Sequence, residues 1–236
     1  MKKILLVLFI VLLNFIFGKT IYVPEEFATI QEGLNSADSG DVVFVAAGTY
    51  HENITWPNVP GIHLTGEDSS NTIIDGSSSG RVITINPSSA IIDENTVIRN
   101  FTIRNGGNVL KGGGIYIKNS SPTLSYLQVK ENNAEGAASN DYNRGGGIYF
   151  ENSNSKLQNL SIVVNKAEDG GGIYSTGSNL IISYCNICKN YSIDYGGGIT
   201  GSESSSLQLL FSKINNNEAE RGGGIFLHKS LCEIED

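Results

Sequence analysis

The chain has 236 residues, a formal net charge of -8 and a sequence pI near 4.9. Nucleic acid is excluded as a partner, because binding phosphates requires clustered Lys and Arg that this acidic chain lacks. Its 28 glycines, with only one Met and one Trp, are typical of a protein made of many short strands and turns.

Residues 1–18 have the layout of a signal peptide. Met-Lys-Lys precedes an apolar run over residues 4–17, and Gly18 follows it. This run is shorter than the ~20 residues that a membrane span needs, so we expect cleavage and secretion to the extracellular space or cell surface. An uncleaved N-terminal anchor is the alternative. No second apolar run of spanning length follows, so we expect no transmembrane segment after removal of the signal peptide.

Residues 19–40 are predicted to form an N-terminal cap that contains a short helix. Between residues 25 and 37, Phe27, Ile30 and Leu34 recur at helical spacing, and Ser39-Gly40 ends the pattern. Such a helix would cover the open strand edges at the start of a β-structure, where exposed edges favour aggregation.

A repeat of about 25 residues dominates the rest of the chain. Gly-Gly-Gly occurs at 112–114, 145–147, 170–172, 196–198 and 222–224, with about seven extra residues before the second triplet, within 136–143. This periodicity indicates a solenoid over residues 41–236, with its regular part at 112–236. Nothing after the last triplet resembles a terminal cap, so we expect the chain to be truncated at its C-terminus.

The repeats consist of strands, because apolar residues alternate with period two between the glycine triplets. A coil of about 25 residues with short strands fits an all-β, single-stranded parallel β-helix of about seven coils. Leucine-rich repeats have a similar period, but their leucine pattern is missing. Four asparagines recur before the glycine triplets and are predicted to stack within a turn, where their amides bond to one another: Asn132, Asn165, Asn190 and Asn217.

Two families of right-handed β-helix proteins with the pectin-lyase-like fold resemble this sequence. The segment "TIQEGLNSADSGDVVFVAAGTYHENI" is similar to the opening of pectin methylesterases, but the phrases that carry their catalytic residues have no counterpart here. We therefore predict no catalytic residue. The Gly-Gly-Gly-Ile and Ile/Val-x-x-Asn phrases of the second half resemble the passenger repeats of polymorphic outer-membrane proteins. That resemblance implies display at the outer membrane and adhesion.

Charged residues just before the glycine triplets form the first candidate site. The acids Glu168, Asp194 and Glu220 are expected to stack at intervals of ~4.8 Å, where they could bind Ca2+ through carboxylate oxygens. Arg144 and Arg221 lie beside them and are candidate ligand-binding residues. The alternative is a solvated turn, in which the arginines pair weakly with the carboxylates.

An aromatic column forms the second candidate site. Alternation along the strands places Tyr116, Tyr149, Tyr174 and Phe226 on the outside of the coil, with Thr200 interrupting them. Aromatic faces bind sugar rings or partner proteins, so a polysaccharide or a surface protein is the expected partner. The alternative is that tyrosine is present for its high β-propensity.

These patterns predict a secreted or cell-surface binding or adhesion module. An extracellular carbohydrate-active enzyme, resembling a pectate lyase or a pectinesterase, is the competing interpretation. A spacer without a ligand has the same sequence signature and remains a third.

Overall fold

A computed structural model describes residues 18–135 and 142–235. The predicted signal peptide, apart from Gly18, and most of the insertion before the second glycine triplet lie outside these residues. One helix, α1, spans Ile30–Asn35. The strands are, in chain order, β1 (Thr20–Val23), β2 (Val42–Val45), β3 (Gly48–His51), β4 (Ile54–Thr55), β5 (His63–Gly66), β6 (Thr72–Asp75), β7 (Ile83–Ile85), β8 (Val97–Arg99), β9 (Thr102–Arg104), β10 (Ile115–Lys118), β11 (Thr123–Ser125), β12 (Gln128–Lys130), β13 (Ile148–Glu151), β14 (Lys156–Gln158), β15 (Ser161–Val163), β16 (Lys166–Asp169), β17 (Ile173–Thr176), β18 (Asn179–Ser183), β19 (Asn186–Cys188), β20 (Tyr191–Tyr195), β21 (Ile199–Ser202), β22 (Ser206–Leu210), β23 (Lys213–Asn215), β24 (Ile225–His228) and β25 (Leu231–Glu235).

Three long parallel sheets run along the solenoid. Sheet 1 has the order β1-β2-β5-β8-β11-β14-β18-β22-β25, sheet 2 contains β3, β6, β9, β12, β15, β19 and β23, and sheet 3 contains β4, β7, β10, β13, β17, β21 and β24. A short fourth sheet joins β16 to β20. The predicted parallel β-helix is confirmed, and it has about eight turns, one more than the sequence suggested.

Strand pairing stacks equivalent residues of successive coils. In sheet 3, Ile115 pairs with Ile148, which in turn pairs with Ile173, and the column continues through Ile199 and Ile225. The first four of these isoleucines are fully buried in the core. Burying a side chain of this size contributes roughly 1.5–3 kcal/mol, so the repeated isoleucine fixes the register of each coil.

The four predicted asparagines form a continuous ladder. In Asn165, Nδ2 donates to Asn190 Oδ1 at 3.0 Å and to the Val129 carbonyl at 2.9 Å, and Oδ1 accepts from Asn132 Nδ2 at 3.0 Å. Asn190 donates in the same way to Asn217, also at 3.0 Å. Each buried amide therefore satisfies a backbone carbonyl and links two coils.

The glycine triplets form the corners that follow this ladder. The first glycine of the second triplet, Gly145, has φ +68°, in the left-handed region that favours glycine. A Cβ on Gly146, the next residue, would lie 2.3 Å from the Lys166 carbonyl oxygen and 2.6 Å from that of Gly171. The corner therefore has no room for side chains.

Helix α1 caps the first coil. Thr29 and Glu32 form a capping box at its N-terminus, and Ile30 and Leu34 are fully buried against β1 and β2. Within residues 18–135 and 142–235, no helix has the length and apolar character required to cross a membrane.

Candidate functional site

The aromatic column of sheet 3 is stacked as the alternation predicted. Tyr149 lies between Tyr116 and Tyr174, with ring centroids 5.4 and 5.5 Å away and nearly parallel planes. However, Tyr149 is only 1% exposed and Tyr174 only 5%. The expectation that these three tyrosines present open faces to a ligand is therefore wrong, although they do lie outside the coil.

Cationic side chains cover the tyrosine rings. The Arg81 guanidinium lies 4.4 Å from the centroid of Tyr116, and Arg144 Cζ lies 5.0 Å from that of Tyr174. Burial raises the pKa of the Tyr149 hydroxyl, so the phenol stays protonated. Sequence alternation gives the direction of a side chain, and the neighbouring columns decide how much of it meets solvent.

A cavity of about 390 Å³ opens where this column is interrupted. Thr200 pairs with Tyr174 on one side and Phe226 on the other, so a small side chain replaces one ring of the stack. Tyr195 lies beside the gap and packs against Phe226 at a centroid distance of 4.5 Å. Ring surfaces and hydroxyl groups thus line the same cavity.

Polar groups complete the lining of the cavity. Ser202 Oγ lies 2.9 Å from the hydroxyl oxygen of Tyr174, and the exposed Glu203 and His228 lie at the opening. Arg221, a predicted ligand-binding residue, instead donates from Nη1 to the Tyr195 hydroxyl at 2.8 Å. Arg221 therefore holds a ring that lines the cavity and is not itself part of the lining.

Asp169 is the most unusual group in the cavity. Its Oδ2 lies 3.5 Å from Arg144 Nε, whereas its Oδ1 is buried and finds no hydrogen-bond donor within the described residues. Burial raises the pKa of this carboxyl to about 6, and the charges of Glu168 and Asp194 act in the same direction against the effect of Arg144. A carboxyl group with a raised pKa in a cavity is a mark of functional sites.

The calcium site expected from Glu168, Asp194 and Glu220 is not formed. Across the residues that the structure describes, no group of three acidic, histidine or cysteine side chains is placed to hold a metal ion. Glu168 Oε2 accepts from the Asn143 backbone at 3.1 Å, and Glu220 lies exposed near Arg221. The β16–β20 pair also shifts register before Asp169, so these turns are not evenly stacked.

The structure thus brings together Arg144, Tyr174 and Phe226 from the predicted ligand-binding residues. Tyr116 and Tyr149 lie farther along the column and do not line the cavity. The sequence places Asp169 and Tyr195 in the same column before the glycine triplets as Arg144 and Arg221, but it did not identify them as the lining of a cavity. The signal that could have found them is Thr200, since a break in a stacked column leaves space beside its neighbours.

Comparisons with known proteins agree with this architecture. The family described as "Right handed beta helix region" matches residues 60–235, more than half of the chain. The protein therefore belongs to the right-handed β-helix family. A search of curated protein sequences gives no match.

Several solved structures are similar in fold. Pectin methylesterase PemA from Erwinia chrysanthemi has a TM-score of 0.50 at 10% identity, over 92% of this chain and 89% of that one. A pectin methylesterase in complex with hexasaccharide VII has a TM-score of 0.44 at 15% identity, over 93% and 66% of the two chains. Pectin methylesterase from Yersinia enterocolitica has a TM-score of 0.40 at 18% identity, over 78% and 54%. At 10% identity, the likeness to PemA concerns the fold alone.

Proposed function

We propose that this protein is an extracellular β-helix binding module that holds a saccharide in the cavity beside Asp169. A sugar ring has apolar C–H faces and a rim of hydroxyls. The cavity offers matching surfaces, with the rings of Tyr195 and Phe226 beside the polar groups of Asp169 and Ser202.

The observation that carries this proposal is the unpartnered Oδ1 of Asp169. A buried polar atom without a hydrogen bond costs about 1–3 kcal/mol. A ligand hydroxyl reaches this buried oxygen when the neighbouring lining side chains move aside, and the hydrogen bond that it then donates recovers part of that free energy.

The charges of the cavity favour a neutral saccharide over an acidic one. Asp169 and Glu203 both line it, and its single arginine, Arg144, already lies beside Asp169. A uronate carboxylate would therefore meet two like charges in a protein whose net charge is -8. We expect neutral or methyl-esterified oligosaccharides to bind more tightly than polygalacturonate fragments.

The test is a calorimetric titration of the purified protein with neutral and uronate oligosaccharides, using Thr200→Tyr as the blocking variant. This substitution restores a ring to the column and fills the cavity, so binding is expected to disappear. Thr84→Tyr is the matched control, because Thr84 occupies the same column beyond Tyr116, at the far end from the cavity. Unchanged binding by Thr200→Tyr would refute the cavity as the site.

The extracellular location is proposed from the N-terminal sequence. A basic start followed by a 14-residue apolar run is typical of secretory signals. Expression of the full chain, followed by N-terminal sequencing of the product found outside the cell, is expected to show a new terminus near residue 19. An intact N-terminus retained with membranes would contradict this.

A second candidate function is hydrolysis of a polysaccharide or its ester. It is favoured by the raised pKa of Asp169, about 6, which suits a general acid or base at neutral pH. The test is turnover of methyl-esterified pectin and polygalacturonate by wild type and Asp169→Asn, with and without Ca2+. Turnover that the substitution abolishes would favour the enzyme, whereas binding without turnover favours the module.

A further inference from the structure

A second column of side chains follows sheet 1 on a different side of the solenoid. At the turn where each coil passes from sheet 1 to sheet 2, one residue adopts the left-handed conformation. From coil to coil these residues are Asn100, Tyr126, Asn159, Tyr184 and Phe211, with φ between 48° and 63°. The same hydrogen bond repeats along the column, as in Tyr126 N to the Gln158 carbonyl at 3.0 Å and Tyr184 N to the Leu210 carbonyl at 3.0 Å.

The aromatic residues in this column carry a conformational cost that asparagine does not. Asparagine adopts the left-handed conformation readily, whereas a bulky side chain there is an outlier that carries a conformational cost. Burial does not offset this cost, because Tyr126 is 54% exposed and Tyr184 is 56% exposed. Asn100 and Asn159 show which residue the turn accepts without strain. Other bulky residues of the solenoid, such as Val164 with φ 57° and Lys189 with φ 56°, also adopt this conformation, so the turn accepts large side chains and does not itself select aromatic ones.

Ring stacking partly offsets the conformational cost of two of the three aromatic residues. Tyr184 and Phe211 lie on neighbouring coils, with ring centroids 5.2 Å apart and an angle of 13° between their planes. Tyr126 has Asn100 and Asn159 as its column neighbours, and no aromatic ring stacks on it in the described part of the chain. Tyr126 thus combines a strained backbone, high exposure and no partner.

The coil spacing, together with the short side chain of Asn159, leads us to expect a slot between the rings of Tyr126 and Tyr184. Tyr126 and Tyr184 are two coils apart, which corresponds to about 9.6 Å at ~4.8 Å per coil. One ring inserted midway would lie about 4.8 Å from each tyrosine, close to the spacing of stacked aromatic rings. The Asn159 side chain forms no hydrogen bond to the residues described, so its amide can both donate to and accept from a ligand in the slot.

We propose that the slot between Tyr126 and Tyr184, with Asn159 between them, binds one ring of a neutral saccharide. A sugar ring matches the two aromatic sides through its C–H faces and the amide through its hydroxyls, whereas an aromatic side chain of a partner protein would leave the amide unused. The slot shares no residue with the cavity near Asp169. It therefore goes beyond the proposed function, and either site can fail its test alone.

The experiment uses the full chain carrying Thr200→Tyr, so that the cavity is blocked, and titrates it with the neutral oligosaccharides while recording tyrosine NMR signals. Signals of Tyr126 and Tyr184 are expected to shift together. Adding Tyr126→Asn is expected to weaken binding about tenfold. Because asparagine suits the left-handed turn, the same substitution should leave the unfolding midpoint unchanged or raise it.

The matched control is Phe211→Asn, which changes an exposed ring of the same column outside the slot and should weaken binding less than about twofold. Equal losses from both substitutions would assign the effect to the column in general and overturn the proposal. So would wild-type affinity in Tyr126→Asn. Shifts caused by an aromatic probe such as indole, without shifts from any saccharide, would assign the slot to an aromatic partner and also overturn it.

Discussion

Replacement of Asp169 by Asn tests whether the buried carboxyl is maintained at a cost in stability. Asp169 is 6% exposed, and its pKa is raised by burial from 3.8 to about 6. The nearby charges of Glu168 and Asp194 contribute to this rise, whereas Arg144 opposes it. Since the native state binds the proton more tightly than the unfolded chain, this group favours folding when it is protonated.

The sign and size of the effect follow from that difference. The stabilising contribution is fully present below pH ~4 and is lost as the pH rises through about 6. A difference of about 2 in pKa corresponds to about 3 kcal/mol of unfolding free energy. For a chain of this size that is about 6–12 °C in the unfolding midpoint. Asparagine does not ionise, so its variant does not lose this contribution. The unfolding free energy of Asp169→Asn, relative to that of wild type, is therefore expected to rise by this amount between pH 4 and 7.

The assay is thermal unfolding of both proteins at half-unit steps from pH 3.5 to 8, compared as the difference in midpoint at each pH. This difference removes contributions of all other titrating groups that the two proteins share. Glu203→Gln, at the exposed opening of the cavity, is the control and should change the midpoint by less than about 2 °C. If the unfolding midpoint of wild type instead rose relative to that of the variant between pH 4 and 6, the pairing with Arg144 would outweigh burial. That result would refute the reasoning.

Three further predictions concern the scaffold. Asn165→Ala should destabilise the protein by about 3 kcal/mol in urea unfolding, because it removes the side-chain partner of the Asn132 N–H and the Val129 carbonyl and breaks the amide links to Asn132 and Asn190; a loss below ~1 kcal/mol would contradict the ladder. Gly146→Ala should lower the free energy of unfolding by about 3 kcal/mol or more, because the added Cβ clashes with the backbone. In the control Gly107→Ala, the nearest atom to the added Cβ is 3.5 Å away, so the loss should be less than ~1 kcal/mol. Cys185 should resist thiol reagents until unfolding, because burial raises its pKa to about 11; labelling of the native protein at Cys185 in peptide mapping would argue against this.

The scaffold could be predicted because its determinants repeat. The spacing of the glycine triplets gave the coil length, and period-two alternation gave the strands. Asn165 was assigned to a ladder because a polar residue at the same place in every coil must stack on its neighbours. The coil count was low by one because the coils before residue 112 carry no triplet, and their apolar residues repeat less regularly.

The site was harder to predict because it depends on departures from the repeat. Tyr149 points outward as expected, but stacking and the cations beside it bury the ring. The acids before the triplets were expected to align, whereas the register shift between β16 and β20 spaces them unevenly. Asp169 is distinguished by its burial, which a pattern of residue types does not show.

Both proposed binding sites follow from one property of a solenoid. Every outward column is a series of equivalent positions about 4.8 Å apart. When consecutive positions carry aromatic residues, each ring covers the faces of its neighbours. One non-aromatic residue within such a ladder leaves a space of about one ring thickness between two aromatic neighbours. Thr200 does this beside a buried column, where the space becomes a cavity with a carboxyl group. We propose that Asn159 does the same in an exposed column, between Tyr126 and Tyr184. We therefore expect ligand specificity in this scaffold to depend on where a ladder is interrupted and on which residue interrupts it.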